Sequence, residues 1–317
     1  MAEQELPKHL EHQSNSTVCP APSMGLGSSL QALGALVHLV ALAAFATVRI
    51  EHVIVDAAVF VLALWGPRTR ALLWALWPLW LTGVLMDSQP FFVPQWRGEI
   101  HTGELWAADA RLFPAPDGSP WPAWWQTRTS ALADLLCGLA YMLYLLEYFG
   151  LAVYLWWRKD ELFRSFTWGF FVLSLLAVAV YMLYPAAPPW YVMDYGAGPA
   201  QLDALPSAAG AARFDSLLGV HFFAQFYSRN PNVFGAMPSL HVATPALAAV
   251  LLWGRGKVLR WASIGFTLWV AFSALYLAHH YVLDVLAGAL LAIVSALVVR
   301  RLLREPHRLE AEGTVRR

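Results

Sequence analysis

The feature that most limits what this chain can become is a succession of apolar runs, each of roughly 16–20 residues and bounded by charges. A helix needs about 20 such residues to cross a bilayer, where every backbone polar group must find its partner inside the segment. The runs fall at 29–48, 52–66, 71–86, 131–156, 167–184, 238–253, 260–278 and 281–299. The second and third are short, and could form one bent hairpin instead of two crossings. The expected fold is therefore all-α, a polytopic transmembrane helical bundle of six to eight spans. Composition agrees: 58% of residues are hydrophobic and 13% charged, against about 25% charged in soluble domains. Sixteen tryptophans fit a chain with two membrane interfaces. The net charge of zero gives no basic surface for nucleic acid. Cys19 and Cys137 offer neither a ligand spacing nor a disulfide framework, and Cys137 reads as helix packing.

The order of charges sets the expected topology. With eight spans, one side receives fifteen Lys and Arg, including Lys8, Arg158, Lys159, Arg255 and Lys257 and the six arginines of 300–317. The other receives six: Arg49, Arg97, Arg111, Arg128, Arg213 and Arg229. Basic residues stay cytoplasmic, so both termini are expected there, with the loops 87–130 and 185–237 in the periplasm or a lumen. The organisation that follows is a polar cytoplasmic segment 1–28, which is not a signal peptide, N-terminal spans and a Trp-rich loop at 29–130, a core at 131–300 and a basic tail at 301–317. Asn15-Ser-Thr17 matches a glycosylation acceptor, but falls on the cytoplasmic side. The tryptophans of the 87–130 loop suit a segment at the lipid headgroups, either a cap or an entry for lipid. Pro185-Ala-Ala-Pro-Pro-Trp-Tyr191 breaks the preceding helix, should pin Trp190 and Tyr191 at the interface, and leads into a wall of the site.

Chemistry concentrates between Phe234 and Gly288. The stretch opens with Phe234-Gly-Ala-Met-Pro-Ser-Leu-His241 and closes with Tyr276-Leu-Ala-His-His-Tyr-Val-Leu-Asp284-Val-Leu-Ala-Gly288. Two apolar helices joined by the short turn Gly254–Arg260 must run antiparallel, which returns His280 to the depth of His241. His280 and Asp284, four residues apart, share a helix face. One imidazole oriented by a carboxylate, with a second beside it, is a nucleophile, an orienting group and an acid/base in outline. Ionisable groups at this depth are costly and tend to be functional. A lone histidine would read as packing, and two histidines with an aspartate could also hold a divalent ion. The spacing is equally that of an orienting hydrogen bond, and we read the site as metal-free and cofactor-free.

The paired motifs resemble the type 2 phosphatidic acid phosphatase superfamily. Pro238-Ser-Leu-His241 is similar to its Pro-Ser-Gly-His motif, with Leu240 in place of glycine, and His280-x3-Asp284 matches the core of its last motif, with Ser273 in register and Ala274 where arginine belongs. The superfamily's basic first motif is replaced by Tyr184-Pro185. Those departures, together with Pro185–Tyr191 and Ala212-Arg-Phe-Asp-Ser-Leu-Leu-Gly-Val220, resemble the inositol phosphorylceramide synthase branch over about residues 131–290. The resemblance implies transfer of phosphoinositol from phosphatidylinositol to a ceramide-like hydroxyl in a membrane. The Ala-, Arg- and Leu-rich composition fits a bacterial inner membrane.

Loss of the fixed cations also has a physical reading. A monoester substrate carries nearly two charges and benefits from Lys and Arg, whereas a phosphodiester carries one. The expected mechanism has His280 attack phosphorus while Asp284 holds its other nitrogen, and His241 protonate the departing diacylglycerol oxygen. The acceptor then attacks the phosphohistidine. Ser239, His279, Asp134, Trp190, Tyr191 and Arg229 are the candidates for substrate contact, Asp134 either through inositol hydroxyls or merely as a helix cap. Two rivals use the same residues: a lipid or polyprenyl-diphosphate phosphatase, and a non-catalytic lipid transporter or scaffold.

Overall fold

The computed structural model describes residues 26–45, 48, 50–230 and 232–314. The polar segment up to residue 25, with Asn15 and Cys19, lies outside the described residues, as do 315–317 of the basic tail. The described chain is all-helical, its extended pairings limited to isolated bridges. It divides into two compact units: one takes in 1–42 and 48–74, the other 43–47 and 75–317.

The first unit contains most of α1 (Leu26–Phe45), all of α2 (Ile50–Trp65) and the start of α3 (Pro67–Asp87). Among its polar features is a buried pair, His38 Nδ1 2.7 Å from Asp56 Oδ2. The second unit adds α4 (Gln89–Trp96), α5 (Glu104–Leu112), α6 (Trp121–Gln126), α7 (Ala131–Trp157), α8 (Leu162–Leu183), α9 (Pro189–Tyr195), α10 (Ala212–Leu218), α11 (Phe222–Tyr227), α12 (Leu240–Leu251), α13 (Lys257–Tyr276) and α14 (Val282–Thr314).

Five helices are long and apolar enough to cross a membrane: α3, α7, α8, α13 and the part of α14 up to Leu303. Shorter apolar helices at 29–44, 52–65 and 240–251 complete the eight runs read from the sequence. This is a multi-pass membrane protein. Large apolar side chains stay exposed along the spans, among them Leu132, Leu146 and Val153 of α7 and Leu286, Leu290 and Leu297 of α14. Only lipid makes such a surface stable. Trp156, Trp157, Trp253 and Trp261 are exposed near helix ends, where indoles meet headgroups.

Helix α12 is the exception, and the fold is built around it. Twelve residues rise only about 18 Å, too short for a hydrocarbon core of about 30 Å. It is instead buried on nearly every side, from Val242 to Ala249 and again at Leu251. Alanines 243, 246, 248 and 249 let its neighbours come close, as do Ala292 and Ala296 on α14 and Gly169 on α8. Tyr148, Phe166, Leu173 and Leu247 fill the core around it, and Tyr148 Oη donates to the Phe166 carbonyl at 2.8 Å, tying α7 to α8.

The two long loops close over one end of this core. The 87–130 loop forms α4, α5 and α6 and belongs with the second unit. Trp125 packs edge-on against Phe272 of α13, at 5.4 Å between ring centroids. The prolines after α8 force an extended path, and Ala186 bridges in parallel to His101 on one side and Gly235 on the other. The bonds are His101 N–H to Pro185 O (2.9 Å), Ala187 N–H to His101 O (2.9 Å), Ala186 N–H to Phe234 O (2.8 Å) and Ala236 N–H to Ala186 O (3.2 Å). Three distant segments are thereby locked into one ladder. Trp190 and Tyr191, expected at the interface, are instead 5% and 1% exposed. The ladder turns them inward, where they pack with Ala187, Val192, Phe234 and Ala278, because burying two aromatics outweighs leaving them at headgroup level.

Candidate active site

Each histidine is presented by a helix terminus. Ser239 caps α12, its hydroxyl accepting from Val242 N–H at 3.4 Å, and His241 follows in the first turn. After α13 the chain turns through Ala278, which holds the left-handed conformation at φ 58°. That conformation costs a non-glycine residue roughly 1–2 kcal/mol, and the surrounding contacts hold it: the Ala278 carbonyl accepts from Trp190 N–H at 3.1 Å, and Gly210 N–H reaches the Leu277 carbonyl at 3.0 Å. His279 and His280 leave this turn in different directions, and α14 begins two residues later. Ser239 N–H donates to the Asp284 carbonyl at 3.0 Å, so the starts of α12 and α14 are bonded directly. Gly288 permits it: a Cβ there would stand 2.4 Å from the Ser239 carbonyl oxygen.

The result is a linear chain of hydrogen bonds. His280 Nδ1 lies 2.9 Å from the Ala236 carbonyl, His280 Nε2 lies 3.0 Å from His241 Nδ1, and His241 Nε2 lies 3.1 Å from Tyr227 Oη. A carbonyl only accepts, so His280 carries its proton on Nδ1 and its Nε2 is bare. That nitrogen therefore accepts from His241 Nδ1–H, which leaves His241 Nε2 bare and Tyr227 as donor. One carbonyl thus sets every role in the chain.

Asp284 departs from the expected arrangement. Its Oδ2 is 3.5 Å from His280 Nδ1 and accepts instead from Tyr281 N–H at 2.8 Å. The Ala236 carbonyl has taken the position of orienting acceptor, because the ladder places it squarely on the ring. Asp284 is fully buried, with Oδ1 lacking a hydrogen-bond partner among the described residues.

His279 is one of the candidates for substrate contact. Its Nε2–H donates to the Ala208 carbonyl at 3.1 Å, and burial beside His280 holds its pKa down at about 3. It is a neutral ring with one nitrogen already used. Asp134, expected to bind inositol hydroxyls or cap α7, is not the cap: Ser130 is, and Asp134 Oδ1 accepts from Arg213 Nε at 2.7 Å and Tyr276 Oη at 3.0 Å. Arg213 also donates to Gln126 Oε1 at 2.8 Å, so this cation braces loop to loop. Ser239 is buried as a cap, and Arg229 is exposed just beyond α11.

Residues that the sequence did not single out complete the surroundings. Tyr141 stacks on His241 (centroids 4.4 Å) and His279 (5.4 Å), and Tyr144 tilts against His241 at 4.9 Å. Their spacing of three on α7 was the only available signal. Asp109 of α5 is wholly buried, and its Oδ1 accepts from Leu283 N–H at 3.0 Å in the first turn of α14. Burial pushes its pKa up to about 6. Nothing local in the 87–130 loop announces that role.

Comparison with known proteins places this geometry. The profile of the PAP2 superfamily matches residues 104–298, which takes in the α5 helix, the Ala186 and Gly235 segments of the ladder and both histidine motifs. The chain belongs to the PAP2 superfamily. Within it, the chain is 33% identical over 256 residues to a phosphoinositol dihydroceramide synthase of Bacteroides thetaiotaomicron, covering 78% of this chain and 83% of that protein. It is 28% identical over 248 residues to the inositol phosphorylceramide synthase catalytic subunit of Schizosaccharomyces pombe, covering 78% and 58% respectively. The corresponding subunit of Saccharomyces cerevisiae is 36% identical over 122 residues, 38% of this chain and 30% of its own. No solved structure gives a match. The PAP2 match begins at residue 104, inside the loop that the motif resemblance had left out, and α5 with Asp109 explains why that segment belongs to the core.

Proposed function

We propose that this protein moves phosphoinositol from phosphatidylinositol to the primary hydroxyl of a ceramide-like lipid. The observation that carries the reading is the 3.0 Å approach of His241 Nδ1 to a bare His280 Nε2 whose other nitrogen is fixed by a carbonyl. This is a nucleophile beside a proton donor. In the first step, with His241 protonated on both nitrogens, His280 Nε2 bonds to phosphorus and the bond to the diacylglycerol oxygen breaks. That oxygen takes the proton from His241 Nδ1. The positive charge on the phosphorylated His280 faces the Ala236 carbonyl and the Asp284 carboxylate. In the second step the acceptor hydroxyl gives its proton to His241 Nδ1 as its oxygen displaces His280 from phosphorus. The tyrosine-lined walls favour a lipid hydroxyl over water. Such transfer is mostly positioning and electrostatics, which a close-packed helical core supplies.

Charge supports a diester donor. Arg213 is engaged by Asp134, Gln126 and the Tyr276 carbonyl, so the phosphate meets the single charge of a protonated His241 and the N–H groups opening α12, which suit a single negative charge. The names of the relatives supply the donor headgroup and the acceptor class. We place residues 131–300, with α5 packed on the start of α14, as the catalytic core, with the site and both long loops on the periplasmic side of a bacterial inner membrane and both termini in the cytoplasm, on the charge distribution of the loops.

Purified protein in vesicles, given labelled phosphatidylinositol and dihydroceramide, should yield a labelled inositol phosphosphingolipid and diacylglycerol. Unchanged donor with every acceptor defeats the assignment, and release of water-soluble phosphate from a monoester lipid turns it to a phosphatase. A labelled protein that disappears in His280→Ala tests the covalent step. A cysteine placed at the exposed Leu202 should react with an impermeant thiol reagent from the outside of intact cells if the orientation is right.

A further inference from the structure

We propose that Tyr227 is a positioning residue that keeps Nδ1 as the working nitrogen of His241 through both half-reactions, an inference that rests on the two-step transfer above. Tyr227 ends α11, a helix of six residues whose start is held by Asp215: the carboxylate accepts from Phe223 N–H at 3.1 Å and Ala224 N–H at 2.9 Å. Its ring stacks on His279 with centroids 4.4 Å apart and 17° between planes, and the residue is only 6% exposed. Its hydroxyl reaches the one nitrogen of His241 that faces away from His280.

The chemistry explains why a hydroxyl belongs there. His241 changes its protonation twice per cycle. Before the first step both nitrogens carry protons, and Nε2–H donates to Tyr227 Oη. When Nδ1 gives its proton to the leaving oxygen, the neutral ring keeps Nε2–H on Tyr227, and its bare Nδ1 faces the acceptor hydroxyl as the required base. When the acceptor's proton arrives on Nδ1, the starting state returns. In the resting chain described above the hydroxyl rotates and donates to a bare Nε2. Tyrosine serves all three states because its hydroxyl both donates and accepts. A carbonyl or carboxylate could only accept, and phenylalanine would leave a buried nitrogen without a partner.

The other groups around His241 do not duplicate this role. His280 occupies the Nδ1 side, His279 is neutral and turned to Ala208, and Tyr141 and Tyr144 of α7 present ring faces. Asp284 of α14 lies behind His280, and Tyr181 of α8 donates to the Pro238 carbonyl.

The test uses full-length protein in vesicles, as wild type, as Tyr227→Phe, and with 3-fluorotyrosine substituted at 227 to preserve size and fold. Two donors are compared: phosphatidylinositol, and a phosphoinositol diester whose leaving group is 4-nitrophenol. Nitrophenolate leaves without a proton, so its first-turnover release reads the nucleophilic step alone. Tyr227→Phe should lower kcat with phosphatidylinositol by about 10- to 100-fold with KM little changed, while the first-turnover release of nitrophenol stays within about threefold of wild type. The limb of the pH profile where activity falls on the alkaline side should move to lower pH in both variants. The reason is that the bond from a protonated ring to the tyrosine oxygen, the stronger of the two, is lost in Tyr227→Phe and weakened in fluorotyrosine, whose oxygen is a poorer acceptor. Equal slowing with both donors, unimpaired transfer, or an unmoved limb in the fluorotyrosine protein overturns the proposal. A wild type that acts on neither donor removes the transfer reading and this inference together; a wild type that acts on both, with Tyr227→Phe unimpaired, removes this inference alone.

Discussion

Replacing Gly288 with alanine adds one methyl group at the contact that brings the two histidine-bearing helix starts together. That carbon would lie 2.4 Å from the Ser239 carbonyl oxygen and 3.3 Å from its carbonyl carbon. Close C–H···O contacts keep carbon and oxygen about 3.3 Å apart, so the backbones must part by roughly 0.9 Å. Backbone on both sides means that no flexible side chain can yield. The bond from Ser239 N–H to the Asp284 carbonyl, 3.0 Å long, would open beyond hydrogen-bonding range, and His241 would draw back from His280. A misplacement of about 1 Å costs on the order of 100-fold in rate, equivalent to about 2.7 kcal/mol of barrier. Overpacking should also lower stability by roughly 1–3 kcal/mol. The assay is transfer of labelled phosphoinositol at saturating substrate, with melting in detergent followed in parallel. Gly265→Ala on α13 is the control, since a Cβ there meets nothing within 4 Å and should add up to about 1 kcal/mol of helix propensity. A Gly288→Ala protein that keeps wild-type kcat would refute the claim that this contact sets the distance between the imidazoles.

Asp284→Asn should slow transfer by about 10²- to 10³-fold, short of the ~10⁴-fold loss caused by a wrong tautomer, because Ala236 still fixes His280; steady-state kcat at constant KM would show it. Arg213→Ala strands Asp134 partly buried beside Tyr276, and should lower the melting temperature more than the double variant Arg213→Gln with Asp134→Asn does; a rise in KM for phosphatidylinositol without loss of stability would restore Asp134 as an inositol contact. Asp109 has a folded pKa raised to about 6, so the folded state favours its neutral form. That stabilising preference is complete below the unfolded value near 4 and is lost as pH rises through about 6. The melting temperature should therefore fall over that window in wild type and fall less in Asp109→Asn. Ser239→Ala removes the cap of α12 and should cost about 1 kcal/mol in melting experiments.

Much of the site is legible along the chain wherever spacing carries the information. The four-residue step from His280 to Asp284 and the short turn between α12 and α13 already require two imidazoles and a carboxylate at one depth. The surroundings of Trp190, Tyr191, His279 and Asp134 are not legible in this way. Each of those side chains is satisfied by a segment remote in sequence: Trp190 and Tyr191 by the ladder, His279 by Ala208 and Asp134 by Arg213. An exposed aromatic and a buried one look alike in a sequence, and so do a binding carboxylate and a bracing one.

The sequence by itself determined that this is a membrane helical protein, because runs of apolar residues leave backbone groups no partner in lipid except one another. It also singled out the residues proposed to carry the chemistry, since histidine and aspartate are conspicuous in such a setting. Tertiary structure alone decided which nitrogen of each ring holds the proton. The acceptor on His280 is a backbone carbonyl 44 residues away, the partner of His241 a tyrosine within an apolar stretch, and the cap of α14 an aspartate 174 residues earlier. Every residue owns a carbonyl, so only its position in space can give one of them the task of orienting a nucleophile.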